Sequence, residues 1–230
     1  MMEQNQDKIW RHFQNEGSRS FLASHPRLRY LVKRAQGGRS AIGKRLLNIG
    51  VGDGYLESIA IQRGFEVFSL DPDAEAIGRV TQMGSRGSIG VIESMPFEAS
   101  FFDVVIASEV LEHLSSSQRS MGLAEIARIL SPGGQLIGTT PYNEDLSLGD
   151  TVCPCCGKLF HRWGHQATFT LATMRSELEP HFRVKQLTCT AFPSFQHSKS
   201  LWVKPLLRIA LAKLGQQIAS PTIFFVALKR

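Results

Sequence analysis

The sequence Leu-Leu-Asn-Ile-Gly-Val-Gly-Asp-Gly-Tyr-Leu-Glu at residues 46–57 places three glycines, at alternate positions, directly after an apolar run. Arg45–Ile49 has the length of a strand, and Tyr55–Arg63 has the length of a helix. Glycines between them permit positive φ angles and let a ligand approach the backbone closely. We therefore predict a strand, a ligand-binding loop and a helix. The loop glycines are Gly50, Gly52 and Gly54.

The same alternation continues to residue 139. Strands that alternate with helices predict a parallel sheet with crossover helices, hence an α/β fold. The nearly continuous apolar run Phe102–Ala107 is typical of a strand that is covered on both faces. The predicted strands are Arg45–Ile49, Glu66–Leu70, Ile89–Ile92, Phe102–Ala107 and Gln135–Thr139, and the predicted helices are Tyr55–Arg63, Asp73–Gln82 and Ser117–Leu130.

The two ends of the chain follow other patterns. Residues 7–35 are predicted to be helical, with a break at His25-Pro26. After Pro141 the alternation stops, and a segment with several Cys, His and Gly residues follows. A helix at Leu171–Phe182 and two strands, Val184–Thr190 and Thr222–Leu228, come next. We predict an N-terminal helical cap (1–44) and a main domain (45–230) that contains a Cys/His insertion (143–168) and an amphipathic helical insertion (199–218).

The composition favours a globular protein. Of 230 residues, 43% are hydrophobic and 20% are charged, which excludes wholesale disorder. No apolar run approaches the roughly 20 residues that span a bilayer, and no apolar leader is seen. Four cysteines, three of them within residues 153–156, do not resemble a disulfide framework. We therefore expect a cytoplasmic protein without a transmembrane segment.

The net charge of +6 is unevenly distributed. Residues 1–45 contain ten Lys/Arg and three Asp/Glu, residues 46–180 contain eight and seventeen, and residues 181–230 contain eight and none. Two basic ends thus flank an acidic middle. They are either solvated faces or the walls of one mouth that attracts an anionic ligand.

Asp71 ends the strand that follows the glycine loop, 17 residues after Gly54. A carboxylate at this place can accept hydrogen bonds from both ribose hydroxyls, as in other nucleoside-binding α/β folds. Alternatively, Asp71 caps a helix that begins at Pro72. The glycine loop and the acid together favour nucleoside binding.

Five sequence blocks, in this order and spacing, resemble the class I S-adenosylmethionine-dependent methyltransferases, and within them the small-molecule "type 11" group. The resemblance is close over residues 44–142 and loose elsewhere. The blocks are the glycine loop at 48–54, Asp71, Ser94–Phe97, Phe101–Leu114 and Leu130–Leu136.

This resemblance implies a Rossmann-like, doubly wound sheet of seven strands in the order 3-2-1-4-5-7-6, with the last strand antiparallel. It implies that S-adenosylmethionine binds at the carboxyl ends of the strands, with its methionine part at the glycine loop and Ser108, its ribose at Asp71 and its adenine at Ile92 and Val91. The implied cofactor-binding set is Asn48, Gly50, Gly52, Gly54, Asp71, Pro72, Ile92, Glu93 and Ser108.

Two positions depart from the family pattern. The family usually has an acid where this chain has Asn48, and tends to have Asp where it has Val91; Glu93 is the nearest acid to the latter. A neutral amide cannot replace the charge of a carboxylate near the ammonium group of the cofactor. These departures weaken cofactor binding or indicate a protein that binds without catalysis.

Methyl transfer from a sulfonium needs alignment and a dry pocket, and needs a base only for hydroxyl or protonated amine acceptors. His113 and Glu109, just after the fourth strand, are the candidate catalytic residues, with Glu112 beside them. In some relatives this region binds a divalent cation or takes a proton. Local capping and packing are the alternative roles. Tyr142 is a candidate substrate contact at the mouth.

The Cys/His insertion contains Cys153 and Cys156 in C-x2-C spacing, followed by His161 and His165. On a helical turn the two histidines would share a face. The four side chains would complete a tetrahedral Cys2His2 set, which predicts a structural zinc ion.

Two other interpretations of the insertion stay open at this point. It is either a loop with free thiols or a lid over the active site. As a lid it would bring Arg162 and Trp163 to the substrate, and Arg162 would bind a phosphate or carboxylate.

The sequence thus predicts an S-adenosylmethionine-dependent methyltransferase that acts on a small, anionic metabolite. An RNA methyltransferase and a non-catalytic cofactor-binding protein are the alternatives, because of the basic ends and of the two departures respectively. The oligomeric state is not predicted.

Overall fold

The computed structural model describes residues 9, 11–15, 18–38, 40–192 and 221–230, so the predicted helix at 199–218 lies outside the described residues. The strands are β1 Arg45–Ile49, β2 Glu66–Asp71, β3 Arg86–Ile89, β4 Phe102–Ser108, β5 Leu130–Pro141, β6 Asp150–Val152, β7 Leu159–His161, β8 Phe182–Thr190 and β9 Thr222–Lys229. The α-helices are α1 His25–Gln36, α2 Tyr55–Gln62, α3 Ala74–Gln82, α4 Ser116–Ile129 and α5 Leu171–Leu178, and 3₁₀ turns lie at Ser18–Ser24, Leu111–His113 and Leu146–Gly149.

Seven of these strands form one sheet in the order β3-β2-β1-β4-β5-β9-β8, and β6 pairs with β7 in a separate hairpin. β1 to β5 pair in parallel, whereas β9 runs antiparallel to both of its neighbours. Without the hairpin, the strand order is 3-2-1-4-5-7-6 with the last strand antiparallel. The predicted Rossmann-like α/β fold is therefore confirmed.

The core lies on both faces of the sheet, because successive strand residues point to opposite sides. Leu47, Val105 and Phe225 belong to one hydrophobic cluster, which α4 and α5 cover. Their neighbours Leu46 and Val104 belong to the second cluster, which α1 and α2 cover. Burial on both faces explains why these strands are almost entirely apolar in sequence.

Three expectations about local structure were wrong. β3 ends at Ile89 instead of beginning there, because it is an edge strand whose residues are exposed and carry little apolar signal. Pro26 lies in the first turn of α1, where its missing N–H group costs nothing, so His25-Pro26 begins a helix instead of separating two. The insertion is not irregular throughout, since it contains the β6–β7 hairpin.

Phe102 offers a direct test of the core. Its side chain is 0% exposed and makes edge contacts with the rings of Phe68, Phe97 and Phe101. Replacement by Ala leaves a cavity, so Phe102→Ala should lower the free energy of unfolding by about 3–5 kcal/mol in denaturant titrations. Phe160→Ala is the matched control, because Phe160 is 38% exposed; it should cost less than about 1 kcal/mol. Equal losses would contradict this view of the core.

Candidate active site

A cavity of about 370 Å³ lies at the carboxyl ends of β1, β2 and β4. The chain leaves β1 for α2 on one face of the sheet and leaves β4 for α4 on the other face. Adjacent parallel strands whose connections go to opposite sides leave a crevice between them, which is where ligands bind in open α/β sheets.

The glycine loop forms one side of this cavity. Gly50 and Gly52 line it, with φ angles of 81° and 59°. A Cβ atom on Gly52 would lie 3.2 Å from the ring of Phe21, so a larger residue would be strained and crowded. Gly54 begins α2 and faces Val80 and Met83 instead, so it is not part of the cavity lining.

Asp71 lies at the end of β2 and is almost completely buried. Its Oδ2 atom accepts hydrogen bonds from the Val51 N–H group and from Nε2 of Gln14, both at 2.9 Å. Its Oδ1 atom accepts from the Asp73 N–H group at 2.9 Å. Burial raises the pKa of Asp71, and these hydrogen bonds oppose the shift. The side chain that caps α3 is Asp73, so the interpretation of Asp71 as a helix cap was wrong.

Asn48 is tied to a buried acid that the sequence analysis did not identify. Its Nδ2 atom donates to the Gly50 carbonyl oxygen at 3.2 Å and to Oε1 of Glu57 at 2.8 Å. The Ser69 hydroxyl donates to the same Glu57 oxygen at 2.9 Å. Glu57 is fully buried, and this burial raises its pKa to about 7. A neutral amide thus faces the cavity, and a carboxyl group lies behind it.

The wall next to β2 contains most of the other predicted cofactor residues. Pro72, Ile92 and Glu93 line the cavity together with Val91. Ile92 is buried, whereas Val91 is half exposed. The Glu93 carboxylate accepts a hydrogen bond from Nε2 of Gln118 at 2.7 Å. The structure thus brings every residue of the predicted set except Gly54 to one cavity; which parts of a ligand they contact stays a prediction.

Glu109 directly follows β4 and adopts a φ angle of 57°, a left-handed conformation that is rare for residues other than glycine. It lines the cavity, and one oxygen, Oε2, lies 3.8 Å from the Arg27 guanidinium. The Oε1 atom is buried without a hydrogen-bond partner. Arg27 also donates to the Ser108 hydroxyl at 3.1 Å. An acid and a base therefore meet at the end of β4.

His113 lines the cavity at the end of a 3₁₀ turn, with Nδ1 lying 3.3 Å from the Gly164 carbonyl oxygen. Burial, reinforced by the neighbouring His165, lowers the pKa of His113 to about 3, so its imidazole is neutral at physiological pH. Glu112 lies behind it, fully buried, and accepts from the Thr140 hydroxyl at 3.1 Å. Burial raises the pKa of Glu112 well above its usual value.

The four predicted zinc ligands are divided between two places. Cys153 lies at the turn of the β6–β7 hairpin, where the N–H groups of Cys155 and Cys156 donate to its sulfur and lower its pKa. His161 pairs with Asp150 at the other end of the hairpin. The strand register therefore separates the histidines from the thiols by the length of the hairpin.

The two histidines do meet, although not on a helix as expected. His161 ends β7, the chain turns, and the rings of His161 and His165 stack with their centres 4.7 Å apart. Within the described part of the chain, two groups of three side chains have their metal-binding atoms close together: Glu112, His113 and His165, and Glu144, His161 and His165. Neither group contains a cysteine, so the predicted Cys2His2 arrangement is not formed by these residues.

The predicted substrate residues lie outside the cavity lining. Tyr142 packs against the core beside Phe169. The Arg162 guanidinium lies over the ring of Trp163, with its carbon 5.5 Å from the ring centre. Trp163 in turn contacts Phe13, with ring centres 4.8 Å apart. The insertion therefore touches the N-terminal segment at the edge of the site.

Sequence reasoning missed a wall of the cavity. The segment before β1 was predicted as a cap, but its individual residues gave no signal, because one polar residue among several does not announce its burial. The lining residues from this segment are Arg11, Gln14, Phe21, Ser24, Arg27 and Leu28.

Comparison with known proteins agrees with this geometry. Residues 47–138 match the family model described as a methyltransferase domain. An uncharacterized methyltransferase of Mycobacterium tuberculosis is 28% identical over 111 residues, which cover 47% of this chain and 44% of that protein. The ubiquinone biosynthesis O-methyltransferase of Bradyrhizobium sp. is 33% identical over 105 residues, which cover 43% of this chain and 40% of that protein. The matching part thus spans less than half the length of these curated relatives.

Solved structures show the same fold over nearly the whole chain. One is a chain of the complex between the Trm112 methyltransferase activator of Haloferax volcanii and a methyltransferase, with a TM-score of 0.67, 16% identity and coverage of 96% of this chain and 97% of that one. Another is the N-methyltransferase NodS of Bradyrhizobium japonicum in complex with S-adenosyl-L-homocysteine, with a TM-score of 0.58, 17% identity and coverage of 88% and 85%.

The sheet order and the cavity at its switch point define a nucleotide-binding type of α/β domain. Residues 47–138 belong to the class I S-adenosylmethionine-dependent methyltransferase family. Among the described residues, no helix is both long and apolar enough to cross a membrane.

The buried Glu57 predicts a pH-dependent stability. Its pKa rises from 4.5 to about 7 on folding, so its protonated form stabilises the fold below pH 4.5 and this contribution is lost as the pH rises towards 7. The Glu57→Gln variant does not titrate here. The free energy of unfolding of the wild type, relative to that of Glu57→Gln, should therefore fall by about 3 kcal/mol between pH 4.5 and 7.5. A constant difference would contradict the burial of a titrating carboxyl group.

Proposed function

We propose that this chain is an S-adenosylmethionine-dependent methyltransferase that acts on a small, anionic acceptor. The observation that carries the proposal is the position of Asp71, buried beside the glycine loop at the end of β2 with its carboxylate in the cavity wall. This position supports recognition of a ribose in a fold whose crevice suits a nucleoside.

The lining of the cavity fits such a cofactor. Asp71 offers a carboxylate for ribose hydroxyls, and buried Ile92 offers an apolar surface for adenine. Gly50 and Gly52 allow the backbone to approach the ligand, and the unpartnered Oε1 atom of Glu109 offers an acceptor at the end of β4. These residues would hold S-adenosylmethionine, which supplies an electrophilic methyl group when bound.

His113 is the residue proposed to take a proton from the acceptor. Its imidazole is neutral, because burial lowers its pKa to about 3, and it lines the same cavity as Glu109. A neutral imidazole can accept a proton from a hydroxyl or amine as the new bond forms. Glu109 is proposed to orient the acceptor, since its left-handed backbone conformation places it in the cavity wall.

The anionic character of the acceptor is proposed from Arg27. Its guanidinium lies in the cavity wall, and its contacts are the neutral Ser108 hydroxyl at 3.1 Å and the Glu109 carboxylate at 3.8 Å. This arrangement leaves donor groups of a permanently charged side chain for a carboxylate or phosphate. Arg162 and Trp163 of the insertion are proposed to border the acceptor at the outer rim.

An RNA acceptor is the second candidate. The basic N-terminal part, with Arg11 and Arg27 in the cavity wall, supports it. RNA binding of this kind must weaken steeply with salt, because phosphate contacts release counterions. A titration of labelled RNA at two salt concentrations therefore separates the two acceptors. A non-catalytic protein, the third alternative, would bind the cofactor without any transfer.

Zinc in the insertion remains a prediction with an altered basis. The thiols and the histidines are separated by the hairpin, so a zinc ion held at Cys153 and Cys156 would need further ligands from elsewhere. Metal analysis of untagged protein, with Cys153→Ser and Cys156→Ser as controls, tests it. Protein without a stoichiometric metal, and no loss of stability in the variants, would reject it.

Asp71→Ala tests the cofactor site. Loss of a buried carboxylate that accepts hydroxyl groups should weaken binding of S-adenosylhomocysteine at least about tenfold in calorimetric titrations. Asp150→Ala is the matched control, because Asp150 is exposed on the hairpin and is not part of the cavity lining. If the wild type binds neither S-adenosylmethionine nor S-adenosylhomocysteine, the proposed function is wrong.

His113→Asn tests the proton acceptor. Transfer of a labelled methyl group to acceptors in a fractionated metabolite extract should slow by about a hundredfold or more, whereas S-adenosylhomocysteine binding should change little. Because the His113 pKa is about 3, the wild-type rate should show no break from this group between pH 5 and 9. His181→Asn, on a residue outside the lining, is the matched control. An unchanged transfer rate in His113→Asn would exclude this role.

A further inference from the structure

Gln14 is a buried polar residue whose hydrogen bonding is incomplete. It belongs to the N-terminal segment, is 6% exposed and lines the cavity. Its Nε2 atom donates to Oδ2 of Asp71 at 2.9 Å, whereas its Oε1 atom is buried and has no hydrogen-bond partner in the described part of the chain. A buried carbonyl oxygen without a donor destabilises the fold by about 1–3 kcal/mol, so native structures rarely retain one without a reason.

The orientation of this side-chain amide is fixed by Asp71. A carboxylate accepts hydrogen bonds and does not donate them, so the NH2 group of Gln14 must face it. The Oε1 atom is therefore held on the other side of the amide, next to the carboxylate and in the wall of the cavity. Gln14 thus presents an acceptor beside Asp71.

The hydrogen-bonding capacity of Asp71 explains why a second acceptor is needed. A carboxylate has about four lone-pair sites. Three of them already receive N–H groups, from Val51, Asp73 and Gln14. The two hydroxyl groups of a ribose offer two O–H donors, and Asp71 has room for one. The simple expectation that Asp71 accepts both hydroxyls therefore does not fit this site.

We propose that Gln14 is a cofactor-binding residue that shares the ribose of the cofactor with Asp71: one hydroxyl donates to the carboxylate, and the other donates to Oε1 of Gln14. This inference rests on the proposed function and assigns the ribose subsite within it. The ligand class is a nucleoside with a free 2′,3′-diol. The site thereby selects ribonucleosides over their deoxy forms.

The N-terminal segment is held in a way that suits this role. The Arg11 guanidinium lies 3.3 Å from the Asp73 carboxylate, and the Arg79 guanidinium donates to Oδ1 of Asn15 at 3.3 Å. Both partners belong to the loop or helix that follows β2, as Asp71 does. The amide of Gln14 is therefore positioned by the same element that carries the carboxylate, and only the occupancy of Oε1 is left to the ligand.

The experiment compares three ligands by calorimetric titration of the full chain: S-adenosylhomocysteine and its 2′-deoxy and 3′-deoxy analogues. The wild type should bind each deoxy analogue about tenfold or more weakly than the parent, since a buried hydrogen bond is lost in each case. Gln14→Met, which is similar in size and lacks the amide, should bind the parent about tenfold weaker. It should also no longer discriminate against one of the two deoxy analogues, while it still discriminates against the other.

Matched variants make the result specific. Gln62→Met, on an exposed residue of α2, should keep the wild-type discrimination against both analogues. Gln14→Asn keeps the amide but is one methylene shorter, so it should lose the same discrimination as Gln14→Met. Unfolding midpoints of all variants show whether the loss reflects misfolding.

The outcomes separate this inference from the proposed function. If the wild type binds S-adenosylhomocysteine but Gln14→Met and Gln14→Asn still discriminate against both analogues, Gln14 does not bind the ribose, and the proposed function stands. If the wild type binds the deoxy analogues as tightly as the parent, the diol is not recognised, and the inference is likewise wrong. If the wild type binds neither the parent nor S-adenosylmethionine, both proposals fail.

Discussion

Burial of both faces of the sheet is the constraint on which the rest of this structure depends. A parallel sheet whose strands are apolar on both sides must be covered on both sides, so the connections after β1 and β4 leave in opposite directions. The crevice between these strand ends is a consequence of that divergence, not a separate feature. The glycine loop, Asp71 and Glu109 all lie there because each directly follows or ends one of the strands.

The crevice is also where the fold tolerates buried acids. Glu57, Asp71 and Glu112 are all almost completely buried, and burial raises the pKa of each. Each is held by donors from a different element: Asn48 and Ser69, backbone N–H groups, and Thr140. Such groups weaken a fold unless a ligand or a reaction uses them, so their concentration at one edge of the sheet is typical of a functional site.

Sequence reasoning recovered those parts of the molecule that local pattern encodes. The apolar runs predicted the strand order through the family resemblance, and the spacing from Gly54 to Asp71 predicted the cavity wall. Gln14 and Glu57 were missed, because their burial depends on segments distant in sequence. The zinc arrangement failed for a similar reason: the spacing between Cys156 and His161 is short, but the register of β6 with β7 places the two residues at opposite ends of a hairpin. Pairing register is a property of the folded chain, and one sequence does not display it.

The position of β9 has a consequence for biosynthesis. This strand is made about 80 residues after β5, yet it lies between β5 and β8 and pairs with both. Until the ribosome has released residues 222–229, the adjoining edge of β5 stays unpaired, and an unpaired edge invites association with other chains. The half of the sheet that carries the glycine loop and Asp71 does not have this dependence, because its strands pair with neighbours made early. A nascent chain can therefore complete the presumptive ligand-binding half while the other half still awaits its central strand.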